Sequence, residues 1–293
     1  MFYQPGVTSH GLPKDPFKAC VVPRPIGWIS TRSADGHDNL APYSQFNNLT
    51  FDPPYTWASQ VGCLGHVRGK SNRQGGSVGR LSLSYISPSS SFHEFYSLQH
   101  QQQAFDSRMT PDMSERSILT RGCRVNSKDT TINAETCGEF VWNMATYPLR
   151  EAVNITAEQT AFGVDEFQRA NLLKEKATIV KASMVKESPV KFECKYHSTL
   201  RLPGNPPMGT VDIIIGLVVG IHISEDVLTD GLVDIQKTQP IARCGYYQYA
   251  RIRETFDMVI PGGGKVLYGL EGSVALNAKE RSGVDKEQSG EVP

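Results

Sequence analysis

The sequence lacks an excess of charge of either sign. Its 293 residues carry 30 Lys and Arg against 30 Asp and Glu, and its isoelectric point is about 7.0. A chain without net charge has no global field to hold it on a phosphate backbone or an anionic lipid surface. We therefore expect no nucleic-acid partner.

Long apolar runs are missing as well. The longest, from Val211 to His222, is interrupted by Asp212 and reaches about half of the roughly 20 residues that span a bilayer. The first twelve residues have neither the basic start nor the apolar stretch of a secretory signal. The sequence thus predicts a soluble, cytoplasmic protein with no membrane partner.

Signals for metal binding and nucleophilic catalysis are also absent from the sequence. The six cysteines form no C-x-x-C pair, and no two of the seven histidines stand at a ligand spacing beside a carboxylate. There is no G-x-S-x-G elbow for a serine nucleophile. We expect reduced thiols, no metal site and no nucleophilic side chain.

Short apolar runs separated by Pro and Gly fill residues 17–58 and predict β-structure. The run from Ile26 to Thr31 precedes the pair Asp35-Gly36, which favours a tight turn and hence a hairpin. Three or four further strands are predicted in residues 190–260, one of them covering residues 244–252.

Helical signals lie between these β regions. Gly138 is expected to end a helix and to lead directly into a strand. Residues 149–173 are expected to form helical pieces broken near Gly163. The fold class is therefore mainly β with flanking α-helices.

One internal segment has a different composition from the rest. Residues 71–117 contain twelve Ser, and no Lys occurs in residues 71–127. This composition predicts a low-order insertion at about residues 61–127 of one domain that spans residues 10–261, with a disordered tail at residues 262–293. The abrupt change motivates the hypothesis that the insertion is a retained intron.

Three segments offer chemistry for a phosphate or a nucleotide, although no Walker loop is present. Ser30-Thr31-Arg32 and Ser127-Lys128-Asp129-Thr130 supply hydroxyls and cations, which bind phosphate; the alternative for each is a capped, solvated turn. Asn39 to Asn47 alternates polar with apolar or aromatic side chains, as the lining of a flat ligand does; the alternative is a β-bulge.

These segments belong to a longer series of motifs. The series reads Arg24-Pro25-Ile26-Gly27-Trp28-Ile29-Ser30-Thr31, Gly36, Asn39-Leu40-Ala41-Pro42-Tyr43-Ser44-x-Phe46-Asn47, Asp52-Pro53-Pro54, Lys128-Asp129-Thr130-x-x-Asn133, Gly138-Glu139-Phe140-Val141-x-Asn143, Val164-Asp165-Glu166-Phe167, Glu187-Ser188-Pro189-Val190, Glu193-Cys194-Lys195 and Gly245-x-Tyr247-x-Tyr249. In this order the motifs resemble the flavin reductase-like family of FMN-binding split-barrel proteins, of the flavoredoxin type.

The resemblance implies a six-stranded, Greek-key split β-barrel that forms a homodimer and binds FMN near the subunit interface. It implies that the phosphate and ribityl chain of FMN are held by Ser30, Thr31, Lys128 and Thr130. It further implies that the flavin is lined by Asn39, by main-chain groups of Ala41, Pro42 and Tyr43, and by the side chains of Ser44 and Asn47.

The implied activity is transfer of hydride from NAD(P)H to flavin and onward to an unknown acceptor. This chemistry belongs to the cofactor, so the resemblance implies no catalytic side chain. The alternative is a flavin-binding or inactive barrel without NAD(P)H turnover, its site disturbed by the insertion. A pyridoxamine-phosphate-oxidase-like activity would need a basic pocket for a second phosphate, and the sequence shows no strong basic cluster. For His197 and Tyr247 two roles are open, an approach to the flavin face or buried packing, and the sequence favours buried packing.

Overall fold

The structure is a computed structural model that describes residues 1–61, 128–161, 163–205 and 209–258. Apart from Val61, the segment predicted as a low-order insertion lies outside the described residues, and so does the tail predicted at residues 262–293. Two compact units are distinguished, Met1–Ile252 and Arg253–Pro293. Every helix and strand of the described residues belongs to the first unit.

Strands outnumber helices in the described residues. The strands are β1 (Arg24–Pro25), β2 (Gly27–Arg32), β3 (Asp38–Tyr43), β4 (Phe46–Phe51), β5 (Pro54–Val61), β6 (Glu139–Asn143), β7 (Lys174–Glu175), β8 (Met184–Val185), β9 (Val190–Pro203), β10 (Thr210–Ile223), β11 (Leu228–Thr229), β12 (Leu232–Val233), β13 (Ile241–Gly245) and β14 (Gln248–Arg251). The helices are α1 (Phe17–Cys20), α2 (Asp129–Cys137), α3 (Arg150–Ile155), α4 (Glu166–Arg169) and α5 (Ile235–Thr238), with a 3₁₀ turn at Glu225–Val227. The predicted mainly β fold with flanking helices is confirmed.

Seven antiparallel strands form the main sheet, in the order β3-β2-β6-β9-β10-β5-β4. Its two end strands, β3 and β4, are consecutive in the chain and are joined by Ser44 and Gln45 alone. The sheet must therefore curl until its ends approach each other, which makes it an open, or split, barrel. The resemblance implied six strands; the seventh arises because the chain reverses at Asp52-Pro53 and both β4 and β5 join the sheet.

A glycine allows the two ends of the sheet to approach. A Cβ atom at Gly27, in β2, would lie 2.8 Å from Cδ2 of Phe46, in β4. The Phe46 ring cannot move away freely because it stacks on Trp142, with ring centroids 5.3 Å apart and planes 5° apart. The absence of a side chain at Gly27 is thus a condition for the barrel to close around Phe46.

Both faces of β2 and β6 are buried. Inside the barrel, Ile29, Phe46, Phe140 and Trp142 belong to one apolar cluster together with Ile214. On the outer face of β2 and β3 a second cluster, including Trp28, Leu40, Val153, Phe167 and Val185, packs beneath the covering helices. Trp28 and Ile29 are adjacent and point to opposite faces, so each contributes to a different cluster.

Several local expectations are confirmed. β2 and β3 form the predicted hairpin, with Gly36 at φ +87° in its turn. Helix α2 ends at Gly138, at φ +74°, and β6 follows immediately. Helices α3 and α4 are the predicted helical pieces on either side of Gly163.

The predicted number of strands in residues 190–260, three or four, was wrong. The segment contains six strands, because the two-residue strands β11 and β12 were not predicted and residues 244–252 do not form one strand. The chain reverses between β13 and β14 because Gly245 and Tyr246 both adopt positive φ angles, +97° and +44°. The sequence signal for strands in this region was right, but the turn at Tyr246 was missed.

Residues 176–183 form an irregular segment between β7 and β8, the β7–β8 loop. Acidic side chains of the barrel strands accept hydrogen bonds from backbone N–H groups of this loop. Glu193, in β9, accepts hydrogen bonds from the backbone N–H groups of Thr178, Ile179 and Val180 at 2.9, 2.6 and 2.8 Å. Oε1 of Glu139, in β6, accepts one from the N–H of Lys181. These bonds hold an irregular segment in place where regular pairing is absent.

The β7–β8 loop in turn fixes β2 and β3. Ser30 donates its hydroxyl to the Ser183 carbonyl at 2.6 Å, and the Ser183 hydroxyl donates to Oδ2 of Asp38 at 3.1 Å. Lys174 Nζ lies 2.7 Å from the same Asp38 oxygen. A chain of hydrogen bonds therefore runs from Glu193 and Glu139 through the loop to the strands that carry the predicted site.

The environment of the Glu193 carboxylate indicates that the folded protein loses stability as pH falls. Burial by itself raises the pKa of Glu193, but hydrogen bonds from His222, at 2.6 Å, and from three backbone N–H groups outweigh burial and hold this pKa below 4.5. A carboxyl with a lowered folded-state pKa stabilises the fold above its unfolded pKa, and that contribution is lost as pH falls through the folded pKa.

We therefore expect Glu193→Gln to lower the free energy of unfolding at neutral pH by about 1 to 3 kcal/mol, because an amide offers one acceptor to several donors. We also expect the variant to lose less stability than the parent between pH 7 and about pH 4. Urea unfolding at both pH values measures this. Parallel pH profiles for the two proteins would contradict the assignment.

Candidate functional site

Thr130 joins helix α2 to strand β3 at the predicted site. Its hydroxyl accepts a hydrogen bond from Nδ2 of Asn39 at 2.9 Å and lies 2.8 Å from the hydroxyl of Tyr43. Asn39, Ala41 and Tyr43 alternate along β3 and so share one face of the strand. The structure thus brings four of the predicted residues, Asn39, Ala41, Tyr43 and Thr130, into one strip.

The N-terminus of α2 lies at one end of this strip. Lys128 occupies the cap position, and its side chain makes no capping hydrogen bond because an ammonium group has no acceptor. The N–H groups of the first helical turn and the positive end of the helix dipole therefore favour an anion, and Lys128 adds a positive charge. Asp129, in the same turn, opposes an anion through its own charge.

The hydroxyl of Tyr43 is kept protonated. Burial raises the pKa of Tyr43 strongly, and the negative charges of Asp129 and Glu166 raise it further, while the hydrogen bond with Thr130 acts in the opposite direction. Tyr43 is therefore a neutral hydrogen-bonding group at physiological pH and cannot act as a base.

The outer edge of β3 presents hydrogen-bond acceptors. The N–H of Leu40 points away from β2 and donates to Oε2 of Glu166 at 3.1 Å, and Pro42 has no N–H. In an antiparallel pair the N–H and C=O of one residue point to the same side. The carbonyl groups of Leu40 and Pro42 therefore face outward from this edge.

Ser30 and Thr31 are fully buried. The Ser30 hydroxyl donates to Ser183 and accepts from Nδ2 of Asn143 at 3.1 Å, while Nδ2 of Asn133 donates to the Thr31 hydroxyl at 3.1 Å. Both hydroxyls thus stabilise the packing of β2 here. Their assignment to the phosphate and ribityl chain stays a prediction.

Ser44 and Asn47 lie where β3 passes into β4. The Ser44 carbonyl accepts a hydrogen bond from Nε of Arg24 at 3.2 Å, and Nη1 of Arg24 donates to the carbonyls of Lys18 and Val21. Asn47 is exposed on β4, and its Oδ1 accepts from the N–H of Asn48. Arg24 therefore anchors the turn that carries Ser44.

A small polar cleft opens beside Asn39. It is lined by Ser33, His37, Asp38, Asn39, Asp129, Asn133, Gly163 and Val164. Its space is about that of one water molecule. The cleft is therefore too small for a flat ligand of nucleotide size.

Sequence reasoning missed three polar residues that support the site. Asn133 bonds to Thr31; Asn143 bonds to Ser30 and accepts the N–H of Val185 at 2.8 Å; and Glu166 covers the edge of β3. All three stand in the motifs that carry the family resemblance, which was the one available signal. Their contacts are with residues distant in sequence, so local spacing could not assign them.

The expected packing of His197 and Tyr247 was wrong. His197 is exposed, with its ring edge-on to Tyr55, and Tyr247 is 90% exposed at the turn between β13 and β14. Among the described residues, no group of three His, Cys, Asp or Glu side chains is arranged to hold a metal ion. No helix in the described part of the chain is long and apolar enough to cross a membrane.

Comparison with known proteins decides the family. The profile of the flavin reductase like domain matches residues 19–242. The chain belongs to the flavin reductase-like family. Proteins similar to it include one of Aquifex aeolicus, 29% identical over 232 residues that cover 79% of this chain and 85% of the relative. Another is the protein YwrF of Bacillus subtilis, 25% identical over 253 residues that cover 85% of this chain and 94% of the relative.

Solved structures show the fold of this flavin reductase-like chain. Nitrilotriacetate monooxygenase component B from Bacillus cereus is 21% identical, with a TM-score of 0.63, covering 88% of this chain and 98% of the other. Flavoredoxin of Desulfovibrio vulgaris (Miyazaki F) is 15% identical, with a TM-score of 0.55, covering 88% and 99%. A Shewanella frigidimarina structure described as having a split barrel domain is 17% identical, with a TM-score of 0.54, covering 83% and 89%. The predicted split-barrel fold is confirmed.

The hydrogen bonds of Thr130 with Asn39 and Tyr43 predict that replacing Thr130 lowers the free energy of unfolding. Thr130→Val leaves the amide of Asn39 and the hydroxyl of Tyr43 without their shared partner, so we expect the free energy of unfolding to fall by about 1 to 3 kcal/mol. Thr130→Ser keeps the hydroxyl and serves as the matched control, with a smaller loss. Chemical denaturation of the three proteins measures the difference; equal losses for Val and Ser would show that the methyl group, not the hydroxyl, matters.

Proposed function

We propose that this chain binds FMN and passes hydride from NAD(P)H through the flavin to an acceptor. Membership of the flavin reductase-like family supports a flavin-related oxidoreductase. The observation that carries the FMN assignment is the set of contacts around Thr130. There the N-terminus of α2, whose cap residue Lys128 makes no side-chain capping bond, meets a polar and aromatic strip on β3.

The N-terminus of α2 is the part of the site that suits the FMN phosphate. Backbone N–H groups of the first turn, the Lys128 ammonium and the Thr130 hydroxyl are donors of the kind that hold a phosphate. Asp129 carries the wrong charge for direct contact, so we assign it no phosphate contact.

The strip on β3 suits the flavin ring. Asn39 and Tyr43 supply polar groups at its two ends, with the small residue Ala41 between them. The outward carbonyls of Leu40 and Pro42 accept hydrogen bonds, which suits the imide N–H of an isoalloxazine lying along this edge. Ser44 and Asn47 follow directly on the next turn and strand.

Bound FMN would supply the acceptance of hydride and the delivery of electrons to a second acceptor. The protein's contribution is to hold the phosphate, to align the ring along β3 and to leave one face of the ring open for the nicotinamide. Tyr43 stays neutral and hydrogen-bonded, so it positions without exchanging a proton. No acid or base from the protein is needed for this chemistry.

The first test is an absorbance titration of the full chain with FMN, followed by NADH or NADPH under anaerobic conditions. We expect saturable binding near one FMN per chain and bleaching on addition of the donor. Binding without bleaching would favour the alternative, a flavin-binding barrel without NAD(P)H turnover. Absence of FMN binding would contradict the proposed function.

Lys128→Ala tests the phosphate position within the same titration. Loss of a charge-assisted contact predicts FMN affinity weaker by about tenfold or more, with thermal stability retained because Lys128 makes no side-chain capping bond. Lys186→Ala removes an exposed lysine elsewhere and is the matched control. Equal FMN affinity in both variants would exclude Lys128 as a phosphate ligand.

We also propose that the chain is a cytoplasmic homodimer. The described cysteines, Cys20, Cys137, Cys194 and Cys244, are free thiols, which a reducing compartment maintains. The support for a dimer is an apolar patch on the outer face of the main sheet. There Leu200 of β9 pairs with Ile213 of β10, which pairs with Ser59 of β5. Leu200 and Leu202 are 53% and 42% exposed.

The patch lies outside the barrel because its neighbours point inward. Ala58 and Ile214 belong to the interior cluster, so the alternate residues Trp57, Ile213 and Ile215 face outward. Contiguous exposed apolar surface of this kind is typical of a protein–protein interface.

Leu200→Asp tests the interface. Placing a carboxylate in a buried apolar contact predicts a dimer dissociation constant at least about tenfold higher. Leu232→Asp, at a side chain that is 73% exposed on β12, is the matched control. Sedimentation equilibrium of the FMN-loaded protein measures both. A monomeric parent protein would contradict the dimer, and a dimer that appears only after deletion of residues 62–127 would show that this segment blocks it.

A further inference from the structure

The hairpin of β13 and β14 carries an exposed group of aromatic and cationic side chains. Tyr247, at its tip, is 90% exposed, and Tyr249 is 45% exposed. Lys14 Nζ lies 5.2 Å from the ring centre of Tyr246 and 5.8 Å from that of Tyr247. The Arg243 guanidinium carbon lies 4.7 Å from the ring centre of Tyr249.

This aromatic group is held in place by the backbone. Nη1 of Arg243 donates to the Tyr249 hydroxyl at 2.7 Å, and Nη2 donates to the Tyr246 carbonyl. Tyr246 adopts φ +44°, a conformation that a bulky residue rarely adopts. A Cβ atom at Gly245 would lie 2.9 Å from Cα of Ala19, so the hairpin packs closely on α1. The rings are therefore presented by a supported turn.

The surroundings of the hairpin are strongly basic. The β1–β13 pairing and the packing of α1 on β13 bring residues 14–24 and 241–251 together. These two segments contain five Lys and Arg and one Asp. The whole chain has equal numbers of basic and acidic residues. The local excess of positive charge therefore favours an anionic ligand at this hairpin in particular.

The hairpin also adjoins the proposed flavin site. Arg24 pairs with Arg243 in the β1–β13 ladder, and the Arg24 side chain donates to the Ser44 carbonyl. Ser44 follows directly on Tyr43, which ends the β3 strip. A ligand that extends from the flavin face past Ser44 therefore reaches the rings of the hairpin.

From these observations we propose that the β13–β14 hairpin binds an adenine nucleotide moiety. Exposed tyrosine rings stack on a purine base, and Lys14 and Arg243 attract its phosphates. Because the hairpin lies beside the proposed flavin site, we assign it the adenosine diphosphate half of NAD(P)H. This assignment rests on the proposed function. The same chemistry is present in the adenine half of a flavin dinucleotide.

The test is an isothermal titration of the full chain with ADP, which needs neither FMN nor turnover. We expect saturable ADP binding that weakens as salt rises. Tyr247→Ala should lower ADP affinity at least about fivefold, the smallest effect expected from loss of one ring–base stack. Tyr247→Phe should retain the affinity because the ring face remains, and Lys186→Ala should leave it unchanged. Lys14→Ala should weaken binding and reduce its salt dependence.

Two further measurements identify the source of the adenine. A rise in the KM for NAD(P)H relative to kcat in Tyr247→Ala would assign the site to the donor. A fall in FAD affinity relative to FMN affinity in this variant would assign it to a flavin dinucleotide. Failure of ADP to bind at millimolar concentration, or equal ADP affinity in the parent and Tyr247→Ala, would overturn the proposal. Failure of FMN to bind would refute the proposed function and leave the ADP result to decide this inference.

Discussion

The constraint on which this structure depends is the two-residue connection between the end strands of the main sheet. Because Ser44 and Gln45 alone join β3 to β4, a seven-stranded sheet has to curl until its ends nearly meet. That curvature encloses Phe46 and Trp142, and it requires glycine at position 27. It also leaves β3 as an end strand of the sheet, and the candidate site lies along this strand. The closure of the barrel and the position of the candidate site therefore both follow from the short connection between β3 and β4.

Buried polar side chains connect the barrel to the site. Glu193 and Glu139 hold the β7–β8 loop, and Ser183 of that loop bonds to β2 and β3. Carboxylates inside a protein are costly unless their oxygens are fully hydrogen-bonded, and here several backbone donors meet that requirement. The position of β3, which carries the candidate site, is thus fixed by hydrogen bonds that reach across the barrel.

Much of the fold was predictable because its signals are local. The Asp35-Gly36 turn, the helix end at Gly138 and the break at Gly163 each depend on the conformational preference of one or two residues, and all three were predicted correctly. The pairing of β3 with Thr130 was not predictable from spacing, since Asn39 and Thr130 are 91 residues apart. The burial of the Ser30 hydroxyl was likewise not predictable, because it depends on Asn143 and Ser183, 113 and 153 residues away. Such long-range partners are determined by the tertiary fold.

The acceptor edge of β3 has a consequence for the fate of the chain in the cell. An unpaired edge strand is a template on which other chains add as β-strands and aggregate. Here Glu166 already occupies the N–H of Leu40, and Pro42 has none to offer. The carbonyl groups of an incoming strand would find no free N–H at Leu40 or Pro42 of β3. The incoming strand could therefore not form a regular ladder with β3 at these residues. The edge of β3 is therefore a poor template for the addition of another chain, although it ends the sheet.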